Sequence, residues 1–481
     1  MSKARREKFV ILPARGISGP AMTSALFSAD GRGGGALNAF LQERVGRFAE
    51  LTPSEVPGLE SAAPATAELS SAVADEDFEV IAQRFEDGPA VVRMTHAARL
   101  ALEASYPEVR VVPLTKYNLP GQHGGDGRSG RAVKAKAKAA TGAARSRKGG
   151  ARAAGDLASE SAVQADGTVF LDDFKQHLLA AAPGGNEGEG VLVGILDSGI
   201  DATHPALADN VAMVRCLIPG EDAAAGRPAD WGAAAAERAG HGTHVAGIVA
   251  AVPGTGGPAG VAPRAKLIGY RIFPDFPAGP PKPAQNSVII DSIRAAIDDG
   301  CHIINLSIEG STLKEDGVRS AIDDAWNSGV LCIAAAGNGY GNPVSYPAAL
   351  PHCVAVTAIG REGAFPNRIP FTRAVSQQRA SSDSAVFLAS FSNYGPKVQF
   401  TAPGHAIVST FPNGGWWFSS GTSMAAPFIT GLLARLLSDN GNILNAFGDA
   451  GRSAAMLQML VGRARLLGLP QAPMEGYGLP I

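Results

Sequence analysis

The stretch VLVGILDSGID, residues 191–201, decides the fold. From Val191 to Leu196 the chain is apolar or glycine without interruption, and the run stops at Asp197, with Ser198-Gly199 behind it. A strand with one wet face alternates polar and apolar residues, whereas an unbroken run suits a strand covered on both faces. The pattern recurs downstream in KLIGYRIF (266–273), HIINLSI (302–308), VLCIAAAG (330–337) and CVAVTAI (353–359). Between such runs lie SVIIDSIRAAIDDG (287–300) and VRSAIDDAWNSG (318–329), whose apolar residues fall at helical spacing. This alternation predicts an α/β domain over 166–481, a parallel sheet with helices on both faces.

Upstream the order differs. KFVILP (8–13), FEVIAQRF (78–85) and VRVVPLTKY (109–117) read as strands, and ALNAFLQERVGRFAE (36–50) and THAARLALEASYP (95–107) as helices. Residues 1–118 are therefore expected to form a small α+β domain of ferredoxin-like type, ordered strand, helix, strand, helix, strand. Residues 119–165 are dominated by Gly, Ala, Ser, Lys and Arg and hold too few large apolar side chains to offset chain entropy, so they are expected to be a flexible basic linker.

The 481 residues, 45% of them hydrophobic, suffice for one large and one smaller domain. A net charge of -2 exerts no global pull on nucleic acid or anionic membrane. The linker does concentrate Arg128, Arg131, Lys134, Lys136, Lys138, Arg145, Arg147, Lys148 and Arg152, but no aromatic residues interleave to stack on bases, so nucleic acid is not an expected partner. No segment reaches the ~18 uninterrupted apolar residues of a spanning helix, and no membrane partner is expected. The basic start MSKARREKFVILPARG loses its apolar run at Pro13 and Arg15, so it reads as a structural strand, with the cytoplasm as the default location. Cys216, Cys301, Cys332 and Cys353 form no CxxC pair and are expected to be buried free thiols.

Chemistry starts at Asp197, at the end of a strand, where sites in open α/β sheets gather. By itself this carboxylate reads as a strand-ending cap rather than as a catalytic group. GHGTHVAG (240–247) places His241 between two glycines at the expected start of a helix, with His244 three residues on. A helical zinc motif needs histidines four apart with a glutamate between them, so no metal is expected here. In GTSMAAPFITGLLARLL (421–437) Ser423 opens a helix, either as an N-cap or as a hydroxyl held at the positive end of the helix dipole. Asn338 follows VLCIAAAG, either as a turn residue or as an amide able to donate to an oxyanion. Taken together, the four divide the labour of acyl transfer: Ser423 attacks, His241 moves the proton, Asp197 orients the imidazole and Asn338 holds the oxyanion.

LDSGID around Asp197, GHGTHVAG around His241, AAAGN ending at Asn338 and GTSMAAP around Ser423 resemble the subtilase family of serine proteases. GVAPRAKL, INLSI, SYPAAL, FSNYGP and TAPG are similar to subtilase segments as well, so the resemblance covers roughly residues 165 to 445. It implies a seven-stranded parallel sheet and endopeptidase action on proteins or peptides. It also implies that substrate pairs with Pro283–Ser287, Gln285 included, and with Ser307, Ile308, Glu309 and Gly310. Ser345 would floor the pocket and admit a bulky side chain. Glu309 departs from the family, whose usual residue there is glycine. Its carboxylate either favours basic substrate residues or is a solvated rim side chain.

A second departure concerns calcium: the family's strong site uses side-chain oxygens where this chain has Ala206 and Gly254, so no tight calcium site and no cofactor are expected. In pattern though not in motif, residues 1–118 are similar to subtilase propeptides, which assist folding and inhibit by occupying the substrate groove. An unrelated adaptor domain is the rival. A propeptide implies a zymogen, with self-processing in the exposed linker. The competing reading of the whole chain is a catalytically weak subtilase-fold module that grips a peptide. The stretches 221–238 and 362–384 look like insertions and carry no readable function.

Overall fold

The computed structural model describes residues 7–12, 78–83, 90–94, 99, 110–118, 160–164, 166–171, 173–181, 185–219, 221, 236–274, 283–310, 316–367 and 369–481. The linker expected over 119–165 lies outside these residues apart from its last few, and so do the helix expected over 36–50 and nearly all of that over 95–107.

Near the N-terminus β1 (Glu7–Leu12), β2 (Phe78–Gln83), β3 (Ala90–Met94) and β4 (Arg110–Pro113) form a sheet in the order β2-β3-β1-β4. All of its pairings are antiparallel. β3 was not expected: AVVRM is short and abuts the helical pattern that begins at Thr95, which masked it. The run 109–117 was expected as one strand, yet it splits. Pro113 has no N–H and ends β4 at the edge of the sheet, where proline is tolerated. After Leu114 and Thr115 the chain forms β5 (Lys116–Asn118) in a different sheet.

β6 (Glu160–Ser161) and α1 (Phe174–Ala181) lead into the large domain. Next come β7 (Leu192–Asp197), β8 (Val211–Cys216), α2 (Ala236–Ala250), β9 (Lys266–Arg271), β10 (Ala284–Gln285) and α3 (Asn286–Asp298). β11 (Ile303–Leu306), β12 (Glu309–Gly310), α4 (Asp316–Asn327), β13 (Leu331–Ala335) and β14 (Cys353–Arg361) follow. β15 (Val386–Leu388), β16 (Val398–Pro403), β17 (Ile407–Phe411), β18 (Gly415–Ser419), α5 (Thr422–Ser438) and α6 (Ala450–Arg463) complete the elements used below.

The central sheet has eight strands in the order β15-β14-β13-β11-β7-β9-β8, with β16 also on β14. Every pairing in it is parallel except that of β15 with β14. Seven parallel strands with one antiparallel appendage fit the expected α/β class. Side chains leave alternate sides of each strand, and each side has its own apolar cluster. Ile303, Leu331, Ile333 and Val354 pack on the face that carries α2 and α5. Ile304, Leu306, Cys332 and Ala334 pack on the face that carries α3 and α4. α5 is apolar nearly all round and correspondingly buried. The four cysteines are buried and unbridged, as expected. Among the described residues no helix is long and apolar enough to cross a membrane.

Candidate active site

Asp197 closes β7 and is fully buried. Its Oδ1 accepts from the Ser198 N–H at 2.7 Å and bonds His241 Nδ1 at 2.8 Å, while its Oδ2 is buried without a partner. His241 comes from α2, but not from its start: the helix begins at Ala236, because the alanine-rich run before the glycines is already good helix sequence. The glycines instead allow close approach. A Cβ on Gly242 would collide with the Gly199 carbonyl oxygen and sit 3.1 Å from Asp197 Cβ, so only glycine brings α2 this near the end of β7. The Gly242 N–H donates to Ser198 Oγ at 3.0 Å, which joins the two segments.

His244 takes no part. It is buried, its Nε2 bonds the Ile407 and Trp417 carbonyls at 3.2 and 3.0 Å, and burial pushes its pKa down to about 3. Among the described residues no group of three or more His, Cys, Asp or Glu side chains could hold a metal ion.

Ser423 is the second residue of α5, and the capping position belongs to Gly421, so the serine hydroxyl is not spent on the cap. It donates instead to the Ser307 carbonyl at 3.5 Å. Ser307 replies through its own Oγ, which donates to the Ser423 carbonyl at 2.9 Å. That carbonyl is free to accept because Pro427, four residues on, has no N–H to give it. Asn305 Nδ2 donates to Ser307 Oγ at 2.9 Å, and Thr430 Oγ1 of α5 donates to Asn305 Oδ1 at 3.0 Å. The N-terminal end of α5, which carries Ser423, is thereby tied to the end of β11.

Asn338 lies beyond the end of β13, 2% exposed. Its Oδ1 accepts from the Thr422 N–H at 3.0 Å and the Thr422 hydroxyl at 2.9 Å, which fixes the plane of the amide. Its Nδ2 is a buried donor with no acceptor. Buried donors rarely go unpaired without a reason. Thr422 Oγ1 also accepts from the Gly337 N–H at 3.1 Å, and Gly337 needs its positive φ of 101° to make the turn.

The two segments expected to pair with substrate each pair with a strand of this chain. β5 lies between β10 and β12, antiparallel to both, with Ala284 opposite Tyr117, Gln285 opposite Lys116, Glu309 opposite Asn118 and Gly310 opposite Tyr117. Pro283 is half-buried just before β10, and Ile308 is fully buried beneath β12. Tyr117 is 1% exposed and packs on Gly310, where a Cβ would lie 2.6 Å from its ring. Asn286 binds the incoming chain twice, through its N–H to the Thr115 carbonyl and its Nδ2 to the Pro113 carbonyl. Ser345 is half-buried and its Oγ accepts from Asn393 Nδ2 at 3.1 Å.

Glu309 is not a rim residue. It is 5% exposed, and its Oε2 accepts from the Asn338 N–H at 3.0 Å. Sequence reasoning missed Thr422, Asn393 and Ser198. Thr422 and Ser198 each adjoin a residue already singled out, and Asn393 stands inside the segment FSNYGP, so position was the signal and the hydrogen bonds were not legible.

The Subtilase family model matches residues 188–474, more than half of the chain. The chain belongs to the subtilase family. It is 35% identical over 266 residues to Subtilisin NAT of Bacillus subtilis subsp. natto, covering 54% of this chain and 59% of that protein. Thermitase of Thermoactinomyces vulgaris is 33% identical over 260 residues, 54% of this chain and 79% of thermitase. M-protease of Shouchella clausii (strain KSM-K16) is 33% identical over 261 residues, 54% of this chain and 57% of that protein. The subtilase thus spans about three-fifths of the length of several curated relatives it matches, and the matched region contains all four residues Asp197, His241, Asn338 and Ser423.

Proposed function

We propose that this subtilase is a serine endopeptidase made as a zymogen. The observation that carries the activity is the orphaned Asn338 amide, a preorganised donor held by Thr422 on the same turn of α5 that bears Ser423. Ser423 Oγ adds to the scissile carbonyl carbon while His241 Nε2 takes its proton, and Asp197 stabilises the imidazolium through the 2.8 Å bond at Nδ1. Charge developing on the carbonyl oxygen is met by Asn338 Nδ2 and by the Ser423 N–H, which lies in the first turn of α5 where amides have no intrahelical acceptor. Collapse breaks the C–N bond, with His241 returning the proton to the leaving amine. Water then cleaves the acyl-enzyme by the same route in reverse. In the structure the Ser423 hydroxyl is turned to Ser307 across a weak bond of 3.5 Å, and in this reading it leaves that bond for His241 before attack.

Residues 1–118 act in this reading as an inhibitory propeptide. Its support is that β5 takes up the edges of β10 and β12, the same main-chain edges that an extended substrate would use. Self-processing in the linker then releases the catalytic domain, residues 166–481. The test is to incubate full-length wild type and Ser423→Ala with a fluorophosphonate probe and unfolded casein, following label, casein and chain length. Labelling, casein cleavage and chain shortening in the wild type, all lost in the variant, are expected. Absence of all three in wild type, also after mild proteolysis of the linker, would overturn the endopeptidase reading in favour of a peptide-gripping module.

A further inference from the structure

Lys175, the second residue of α1, is fully buried, a rare place for an ammonium group. Its Nζ donates to the Ala259 carbonyl at 2.7 Å, and the adjacent Gln176 Nε2 donates to the same oxygen at 2.9 Å. Asp173, also fully buried, supplies the countercharge two residues earlier. Its two oxygens accept from the Gln176 and Val408 N–H groups at 2.9 and 2.8 Å, so it caps α1 and fixes where that helix begins. Burial pushes the lysine pKa down and the aspartate pKa up, and the attraction between the two charges opposes both shifts.

Ala259 belongs to the loop 251–260, which leaves the end of α2, the helix that carries His241. The N–H groups of Ala251, Val261 and Ala262 close that helix by donating to the carbonyls of Gly247, Ile248 and Val249. The Val252 N–H donates to the Ala206 carbonyl at 2.8 Å, so the loop meets Ala206 here. Ala206 and Gly254 are the positions from which the subtilase calcium site would draw side-chain oxygens, and neither has one to give. The carbonyls around them are already engaged: Ala206 by Val252, Ala251 by the Gly260 N–H at 2.9 Å, Val252 by Thr255 Oγ1 at 2.8 Å and Ala259 by Lys175 and Gln176. Calcium needs about six to eight oxygen ligands, and the residues present do not fit it.

We propose that the Lys175 ammonium is the resident cation of this loop, holding from within the chain what a calcium ion would hold, so that the loop needs no metal. A charge-assisted bond from a buried ammonium is strong, and its stem rises from a helix that Asp173 has already capped. The loop it holds closes the C-terminal end of α2, the negative end of that helix's dipole, where a cation is favoured. An ion can be lost to a chelator, whereas a side chain cannot leave. Order in the loop, and with it the end of the helix bearing His241, is therefore independent of free calcium.

The experiment is hydrogen exchange read by mass spectrometry on the full-length Ser423→Ala chain, in EDTA and in excess calcium chloride, with and without Lys175→Met. Exchange within 251–262 should be the same in EDTA and in calcium. Lys175→Met is close to lysine in length but uncharged, and it leaves Asp173 without its partner. It should speed exchange within 251–262 about tenfold or more, leave β14 unchanged, and lower the melting temperature by about 10 °C. Calcium that slows exchange within 251–262, or EDTA that speeds it, would put a metal at the loop and overturn the proposal. Exchange in Lys175→Met equal to that of its parent would overturn it as well. Should Lys175→Met not fold, Lys175→Gln, which keeps a donor for the Ala259 carbonyl but not the charge, is compared in its place. If neither folds, the parent's response to EDTA and calcium decides.

Discussion

Replacing Thr422 by valine tests how the proposed oxyanion donor, Asn338, is aimed. The Thr422 hydroxyl does two things: it donates to Asn338 Oδ1 at 2.9 Å and accepts from the Gly337 N–H at 3.1 Å. Valine preserves the branched shape at N1 of α5 but removes both bonds, leaving Asn338 Oδ1 with the Thr422 N–H alone. One lost orienting hydrogen bond is worth about 1 to 1.5 kcal/mol, which corresponds to roughly tenfold in kcat if the loss is felt only in the transition state. The Gly337 N–H, left buried and unpaired, should cost folding about 1 to 3 kcal/mol. Deleting the donor outright with Asn338→Ala should cost more, about 100- to 1000-fold in kcat, the size typical of oxyanion donors in subtilisin-type sites. The decisive assay is the cycle of the four chains, read as kcat at saturating peptide after active-site titration. Thr422→Val should slow the wild type about tenfold and have almost no effect on kcat once Asn338 is alanine. Equal slowing in both backgrounds would refute the reasoning, because Thr422 would then act on something other than the Asn338 amide.

Tyr117 is the buried anchor of β5, so Tyr117→Ala in a full-length Ser423→Ala chain should leave the groove accessible to an added fluorescent peptide that the parent excludes, the loss of a buried aromatic anchor being worth about 3 kcal/mol. Equal exclusion by both chains would show that β5 is not what blocks the groove. Asp197→Asn should retain the fold, reading as an unchanged melting temperature within a few degrees, yet lower kcat about 10,000-fold because the imidazole loses its orienting carboxylate. A loss below about tenfold would exclude Asp197 from the orienting role. Acid should destabilise the subtilase through His244 and His405, both buried, with burial holding their pKa values at about 3 and about 4. Both folded values lie below the unfolded value of 6.5, so the stability they contribute is complete above pH 6.5 and is lost as pH falls toward 4 and 3. At pH 5 each has forfeited about 2 kcal/mol. Thermal melts of the inactive Ser423→Ala chain from pH 7.5 to 5 should show the drop, with a shallower slope in His405→Phe, and a flat profile would contradict it.

The sheet was legible because a parallel sheet writes itself as unbroken apolar runs, and Val191–Leu196 or Leu331–Ala335 could hardly be anything else. The end of Asp197's strand and the start of Ser423's helix were legible for the same reason, since both sit where such runs begin or stop. The split of residues 109–117 was not. Its two halves are equally strand-like, and what separates them is a partner choice made by β10 and β12, about 170 and 190 residues further on. The start of α2 was misplaced because glycines at Gly240 and Gly242 look like boundary signals, although here they serve the approach to Asp197. Glu309 was readable as a departure from the family pattern, but its burial was not, because that depends on the Gly337 turn against which its carboxylate closes.

That turn also explains why the Asn338 amide is held in one orientation. Glu309 holds the backbone N–H of Asn338, Thr422 holds its side-chain carbonyl, and Thr422 in turn holds the N–H of Gly337. Backbone and side chain of Asn338 are therefore fixed by different segments, β12 and the start of α5, so its Nδ2 keeps its direction although it has no acceptor of its own.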